Sequence, residues 1–214
     1  MIRHNYQKEL EHTIFVHQNR GEVPSVLLHS CCAPCSSYVL EYLSQYFQVT
    51  VLYYNPNIYP AQEYAHRVKE QQRFIQEFPM VHPAGFIEGR YDPKRFYEVA
   101  KGMETMPEGG GRCMACYRLR LSEAAEYAKK LGMDYFTTTL SISPMKDAQK
   151  LNEIGQQLAA EYGVAYLCSD FKKKNGYLRS TQISKEYGMY RQDYCGCIYS
   201  WKESKKRREN NRKI

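Results

Sequence analysis

Seven of the eight cysteines fall into three tight groups: Cys31, Cys32 and Cys35; Cys113 and Cys116; Cys195 and Cys197. Cys168 stands apart after an apolar stretch and reads as a small buried hydrophobe. The other seven are set among Gly, Pro and Ser, where a thiol is presented rather than packed. Thiols separated by two residues reach one metal centre from a single turn, which is the spacing of Cys113 and Cys116. That pair enters a helical stretch whose N-terminal amides favour a thiolate. Zinc needs two further ligands, which the 31–35 group could supply, and an iron–sulfur cluster is equally compatible with the spacing.

Cys195-Gly196-Cys197 is a different object. Two thiols flanking one glycine can close a very small, strained and easily reduced ring, or act as two ligands to a second metal. Of the six histidines only His29 adjoins a cysteine group, and its place in an apolar run turns it along or into a sheet.

The elements that must hold these thiols can be read from periodicity. Val26-Leu27-Leu28-His29 is a buried strand that ends at the first cysteine group, and Pro34 to Phe47 has helical spacing of Val39, Leu40, Leu43 and Phe47. Val49 to Tyr54 is a second strand, stopped by Asn55-Pro56-Asn57. Tyr59 to Phe78 is a charged helix with Pro60 in its first turn, and Met80 to His82 is a short third strand. A helix over Pro93 to Gly102 is followed by the Gly109-Gly110-Gly111 break and a helix over Cys116 to Leu131. Strands over Tyr135 to Thr139 and Val164 to Leu167 flank a helix from Asp147 to Tyr162. Strands alternating with helices imply a single-domain α/β fold, a three-layer parallel sheet. Ligands of such sheets bind beyond the carboxyl ends of the strands, which is where the 31–35 group falls.

At 214 residues, 43% hydrophobic and 25% charged, the chain can bury a substantial core. No apolar run approaches the roughly 18–20 residues that span a bilayer, and Met1 to Leu10 lacks a signal-peptide core, so the expectation is a cytoplasmic protein with no membrane partner. A reducing compartment favours metal-binding or catalytic thiols over structural bridges. The organisation expected is an N-terminal extension over 1–24, an α/β catalytic domain over 25–200 and a basic tail over 201–214. The tail sets Lys202, Lys205, Lys206, Arg207, Arg208, Arg212 and Lys213 against Glu203 and Glu209, most of the net charge of +7. Such a tail is ordinarily a solvated end, but with 20 tyrosines it is also compatible with nucleic acid.

Six segments together make the chain resemble the QueH-type epoxyqueuosine reductases. They are His29-Ser30-Cys31-Cys32-Ala33-Pro34-Cys35, Tyr53 to Pro60, Arg112 to Arg120, Thr138 to Lys146, Asp170 to Tyr177 and Tyr190 to Cys197, in family order over roughly 25–202. The resemblance implies an adenine-nucleotide α-hydrolase-like fold related to the PP-loop enzymes, and reduction of epoxyqueuosine in a tRNA anticodon loop to queuosine. It implies a 4Fe–4S cluster at Cys31, Cys32, Cys113 and Cys116, and a redox-active pair at Cys195 and Cys197. A second, mononuclear iron is also associated with the family, with Cys35, Cys195 and Cys197 as the thiols at hand.

Removing an epoxide oxygen to leave an alkene consumes two electrons and two protons, so a redox cofactor and an electron donor are required, and no motif names the donor. Asp193 heads the candidate proton donors, beside Tyr194, Tyr53, Tyr54 and Tyr117. Lys146, Lys172, Lys173, Lys174, Arg118 and Arg191 are candidates for RNA phosphates. The competing readings are a PP-loop tRNA sulfur-transfer or nucleotidyl enzyme and a zinc-stabilised RNA-binding module. The first wants a Gly- and Ser-rich phosphate cradle where Cys31-Cys32-Ala33-Pro34-Cys35 stands. The second would be colourless, where an iron–sulfur protein is brown.

Overall fold

The structure, a computed structural model, describes residues 4–211. Five strands make one all-parallel sheet: β1 (Ser25–His29), β2 (Gln48–Tyr53), β3 (Gly85–Glu88), β4 (Tyr135–Thr138) and β5 (Ala165–Tyr166), in the order β3-β2-β1-β4-β5. Among the described residues eight α-helices accompany it: α1 (Tyr6–Asn19), α2 (Ala33–Leu43), α3 (Ala61–Glu77), α4 (Pro93–Ala100), α5 (Gly111–Lys130), α6 (Ala148–Tyr162), α7 (Gly176–Glu186) and α8 (Ile198–Asn211).

The sheet is covered on both faces, as an all-parallel sheet requires. Successive strand side chains point to opposite sides, so Val26 and Leu28 pack with α1, α2, α3 and α7, while Leu27 packs with α5 and α6. This is the three-layer single-domain architecture expected from the alternating pattern. The chain runs outward from β1 to β2 and β3, then crosses back to β4 on the other side of β1. The crevice opened by that reversal lies beyond His29 and Thr138, which pair in register at the carboxyl ends of β1 and β4.

Several boundaries differ from expectation. The third strand is Gly85–Glu88 rather than Met80 to His82, because Pro79 and Pro83 bracket the latter and deny it a ladder. Pro60 caps α3 instead of entering its first turn. Helix α5 starts at Gly111, five residues earlier than expected, which puts Cys113 and Cys116 on the helix itself.

Three helices escape the apolar pattern altogether. Helix α1 buries Leu10 and Ile14 and is capped by Asn5, whose Oδ1 accepts from the Lys8 amide at 3.2 Å. Helix α7 lies so close to α2 that a Cβ at Gly176 would sit 2.4 Å from the Tyr38 ring. Helix α8 carries most of the basic residues of the tail; Arg212 and Lys213 lie outside the described residues, as do Met1 to Arg3. No helix among the described residues is long and apolar enough to cross a membrane.

Candidate metal centre

The end of β1 delivers Cys31 to the crevice, Cys32 caps α2 and Cys35 lies in its first turn. The three sulfurs lie within 4.8 Å of one another. Neighbouring polar groups fix this loop in place. The Cys31 amide donates to Thr139 Oγ1 (3.3 Å), Asn55 Nδ2 donates to the Ser30 carbonyl (2.8 Å), and Gln71 Oε1 accepts from Ser30 Oγ (2.7 Å) and Ser36 Oγ (2.9 Å). Helix α5 presents the second pair from its own N-terminus, where the Gly109 amide donates to Cys113 Sγ at 3.3 Å. Two helix N-termini therefore carry cysteines toward the crevice, and both favour negative charge there.

The third group sits on a tight turn just before α8. Gly196 has φ of +125°, and a Cβ there would meet Ile58 Cγ1 at 3.1 Å and Arg67 Nη1 at 3.2 Å, so only glycine fits. Its carbonyl accepts from the Tyr59 amide (2.8 Å), and the Tyr194 hydroxyl donates to the Tyr59 carbonyl (2.8 Å). Cys197 is buried against Ser200, 3.4 Å from its hydroxyl.

Two adjoining cavities gather the seven thiols. The larger, about 320 Å³, is walled by Cys31, Cys32, Cys35, Arg120, Lys146 and Asp193 among others. The smaller, about 20 Å³, is ringed by Cys113, Cys116, Cys195 and Cys197. Cys195 faces both. The tightest sulfur group is thus 31, 32 and 35, with 113 and 116 brought together with 195 and 197 next to it. Cys168 lines neither cavity; it is buried in the core, as expected, with Gln156 Nε2 at 3.3 Å from its sulfur. All eight cysteines carry free thiols.

The electrostatics suit an anionic guest. Hydrogen bonds from Cys32 and Cys35, with Lys146 and Arg120 nearby, hold the Cys31 thiol well below its usual pKa. The same sharing pushes Cys32 up to about 11 and Cys35 well upward, while burial lifts Cys116 to about 12. Burial disfavours the Lys146 ammonium, but Cys195 and Cys31 outweigh it and hold the pKa above its ordinary value. Arg67 and Arg120 are each 1% exposed. Arg67 Nη2 and Gln71 Nε2 are buried donors with no partner among the described residues, both on side chains beside the 31–35 loop. Thiolates, unpartnered donors and buried cations together are the donor set and counter-charge that a metal–sulfur centre needs, so the residues fit such a group.

Asp193 lies on the cavity wall but is turned to α8. Arg208 Nε donates to its Oδ2 at 2.7 Å, Arg208 Nη2 pairs with Oδ1, and Ser204 Oγ donates at 2.7 Å. The Arg208 guanidinium holds its pKa below the ordinary carboxylate value, so near neutrality Asp193 is an acceptor and not a store of protons. Of the phosphate candidates, Lys146 and Arg191 line the larger cavity. Lys172 and Lys173 line a neighbouring one of about 690 Å³ that shares Lys146, Met145 and Tyr177 with it. Arg118 is spent on Glu161 (2.6 Å) and Lys174 on Glu11 (2.5 Å).

Arg67, Gln71 and Arg120 had drawn no role from the sequence. Arg120 follows Cys116 by four residues, the helical spacing that puts both on one face, and that signal was legible. The burial of Arg67 was not, because it depends on the turn at Gly196 folding over it.

The chain is similar to proteins that share one name. A family model described as epoxyqueuosine reductase QueH matches residues 26–203. The chain is 44% identical over 200 residues to the epoxyqueuosine reductase QueH of Staphylococcus epidermidis, covering 92% of this chain and 84% of that protein. It is 43% identical over 200 residues to the protein of that name from Streptococcus pyogenes, covering 92% and 78%. The one from Thermotoga maritima is 34% identical over 196 residues, covering 89% and 95%.

Proposed function

The chain belongs to the epoxyqueuosine reductase QueH family, and from that premise we propose that it converts epoxyqueuosine in a tRNA anticodon loop to queuosine with an iron–sulfur cluster as its redox group. It is an oxidoreductase. The overall change takes up two electrons and two protons, breaks both carbon–oxygen bonds of the epoxide, leaves a carbon–carbon double bond and releases water. One observation carries the reading: thiols from three distant segments surround adjoining cavities at the point where the strand order reverses. A volume of about 320 Å³ is in the range for a small organic ligand.

In this proposal Cys31, Cys32, Cys113 and Cys116 hold a 4Fe–4S cluster, which supplies electrons one at a time when bound. Cys195, which faces both cavities, and Cys197 take part in turnover, with Cys35 next to the substrate space. Lys146 holds a proton at Nζ on the cavity wall. Asp193, kept ionised by Arg208, accepts hydrogen bonds from the bound nucleoside. Lys146 and Arg191 favour an anionic strand at the mouth. A mononuclear iron held by Cys195 and Cys197 and a reversible disulfide between them are the two forms this turnover role can take.

The test begins with anaerobic purification and analysis of iron and acid-labile sulfide. Cys195→Ser and Cys197→Ser are expected to fold, retain most of the cluster iron and bind tRNA, yet not reduce epoxyqueuosine with a chemical reductant. Thiol trapping of the unsubstituted protein shows a reversible disulfide in one form, and metal analysis of the variants shows one lost iron in the other. Near-normal turnover by both variants removes both forms and leaves electron delivery to the cluster alone. A colourless, zinc-loaded protein would sink the whole reading.

A further inference from the structure

Among the described residues three guanidinium side chains are at most 2% exposed, and an arginine keeps its charge even when buried. Arg67 has the carboxylate of Glu63 at 2.7 Å and the Tyr194 ring at 5.2 Å. Arg112 donates to the carbonyls of Met103, Glu104 and Met106, at 3.2, 2.8 and 2.5 Å. Arg120 has neither kind of partner among the described residues. Its Nη2 donates to Asn55 Oδ1 at 2.6 Å and its Nε points at His29 Nε2 at 3.3 Å. Asn55 is a neutral amide. His29 is a fully buried imidazole, neutral or cationic, and so supplies no negative charge.

A buried charge left without an opposite charge is strongly destabilising, and folds do not retain one idly. The groups whose negative charge would act most strongly on Arg120 are sulfurs: Cys116, one turn back on α5, Cys31, two residues beyond β1, and Cys195; Glu108 and Asp193 line the same cavity, with Asp193 paired to Arg208. The guanidinium also lines the larger cavity while Cys116 lines the smaller one, so it stands between the two thiol groups. Its position is itself held, since Asn55 is tied through Nδ2 to the carbonyl of Ser30, the residue before Cys31.

We propose that Arg120 is the counter-charge of the anionic centre carried by the thiolates on either side of it, and that it sets the reduction potential of that centre. The inference rests on the metal reading of the cysteine groups. A thiolate-ligated iron–sulfur centre is negative and becomes more so on gaining an electron, so a fixed cation stabilises the reduced form and raises the potential. Burial keeps this effect from being screened by salt. Arg120 is a positioning residue in this sense: it acts on the electron equilibrium through the cluster and touches no reacting carbon.

The experiment is a redox titration, followed by visible absorption, of the anaerobically reconstituted holoenzyme and three variants. Arg120→Met keeps the length and removes the charge. Asn55→Asp keeps Arg120 but gives it a carboxylate at the position now 2.6 Å away, cancelling its field locally. Arg120→Lys keeps the charge without the fork. The first two are expected to shift the one-electron equilibrium at least tenfold toward the oxidised form, a midpoint about 59 mV lower. Arg120→Lys should stay close to the unsubstituted protein. Unchanged midpoints in Arg120→Met and Asn55→Asp, with iron retained, overturn the proposal and leave Arg120 a purely structural tie. If Arg120→Met does not fold or does not hold iron, the direction of the Asn55→Asp shift decides. Failure of the unsubstituted protein to take up iron overturns the metal reading, and this inference with it.

Discussion

Cys113 and Cys116 sit in the first turns of α5, while Cys31 follows β1 and Cys32 caps α2, so no local segment holds all four. Any metal they share must wait for the sheet to form and must be lost when either pair is removed. Replacing Cys113 and Cys116 together by Ala is expected to abolish the visible absorption band and remove most iron and sulfide. Cys168→Ala, on a 4% exposed core side chain, should leave both intact and cost on the order of 1 kcal/mol of stability. Full iron occupancy in the double variant would refute the ligand assignment. The spacing of these residues was visible in the chain, but the proximity of Cys35 to Cys31 and Cys32 was not, because it depends on α2 starting at Ala33 and turning Cys35 back toward them.

At the scale of elements, the crevice depends on how β1 and β4 lie side by side. Their entry ends are tied by Asp134, whose Oδ2 accepts from the Ser25 amide (2.8 Å) and hydroxyl (2.7 Å), while its own amide donates to Ser25 Oγ (3.0 Å). Those bonds from Ser25 hold the Asp134 carboxyl below its ordinary value of 3.8. A lowered carboxylate pKa means that the unfolded chain binds the proton more readily. Its stabilisation is therefore complete above about pH 4 and disappears as the pH falls through the lower folded value. Asp134→Asn should destabilise the protein at pH 7 by less than about 1 kcal/mol, since the group is exposed, and the two proteins should converge in acid. Chemical denaturation at pH 7 and pH 3 checks both parts; an equal gap at the two pH values would remove the ionic contribution. The strands next to this tie were legible as apolar runs. The edge strand β3 was not, because its half-exposed Gly-Phe-Ile-Glu has no clean alternation.

For the whole molecule, the basic C-terminal segment has two jobs to separate. Helix α8 starts immediately after Cys197, packs Trp201 edge-on to Tyr59, and fixes Asp193 through Ser204 and Arg208. Deleting everything after Trp201 therefore frees the strand of chain leading to Cys195 as well as removing positive charge. Reversal of the exposed Lys202, Lys205 and Lys206 to Glu removes the charge alone. If the segment grips RNA, that reversal should weaken anticodon stem-loop binding and flatten its salt dependence by about one logarithmic unit for each phosphate no longer neutralised, while the cluster spectrum stays unchanged. Truncation should in addition lower turnover at saturating RNA. Identical salt slopes for the reversed and unsubstituted proteins would make α8 a latch for the cysteine turn and nothing more.

From sequence alone came the parallel α/β class, the placement of the first cysteine group beyond a strand end, the isolation of Cys168 and the family. Each rests on order and spacing along the chain, which period-2 and period-3.6 patterns and in-order motifs record directly. The tertiary structure alone decided which thiols meet, that Asp193 is bound to Arg208, and that Arg120 is buried without a carboxylate. Those are contacts between residues far apart in sequence, such as Arg120 with His29, 91 positions away. Their energies depend on burial and on what else shares the space, and neither quantity exists until the sheet has brought the segments together.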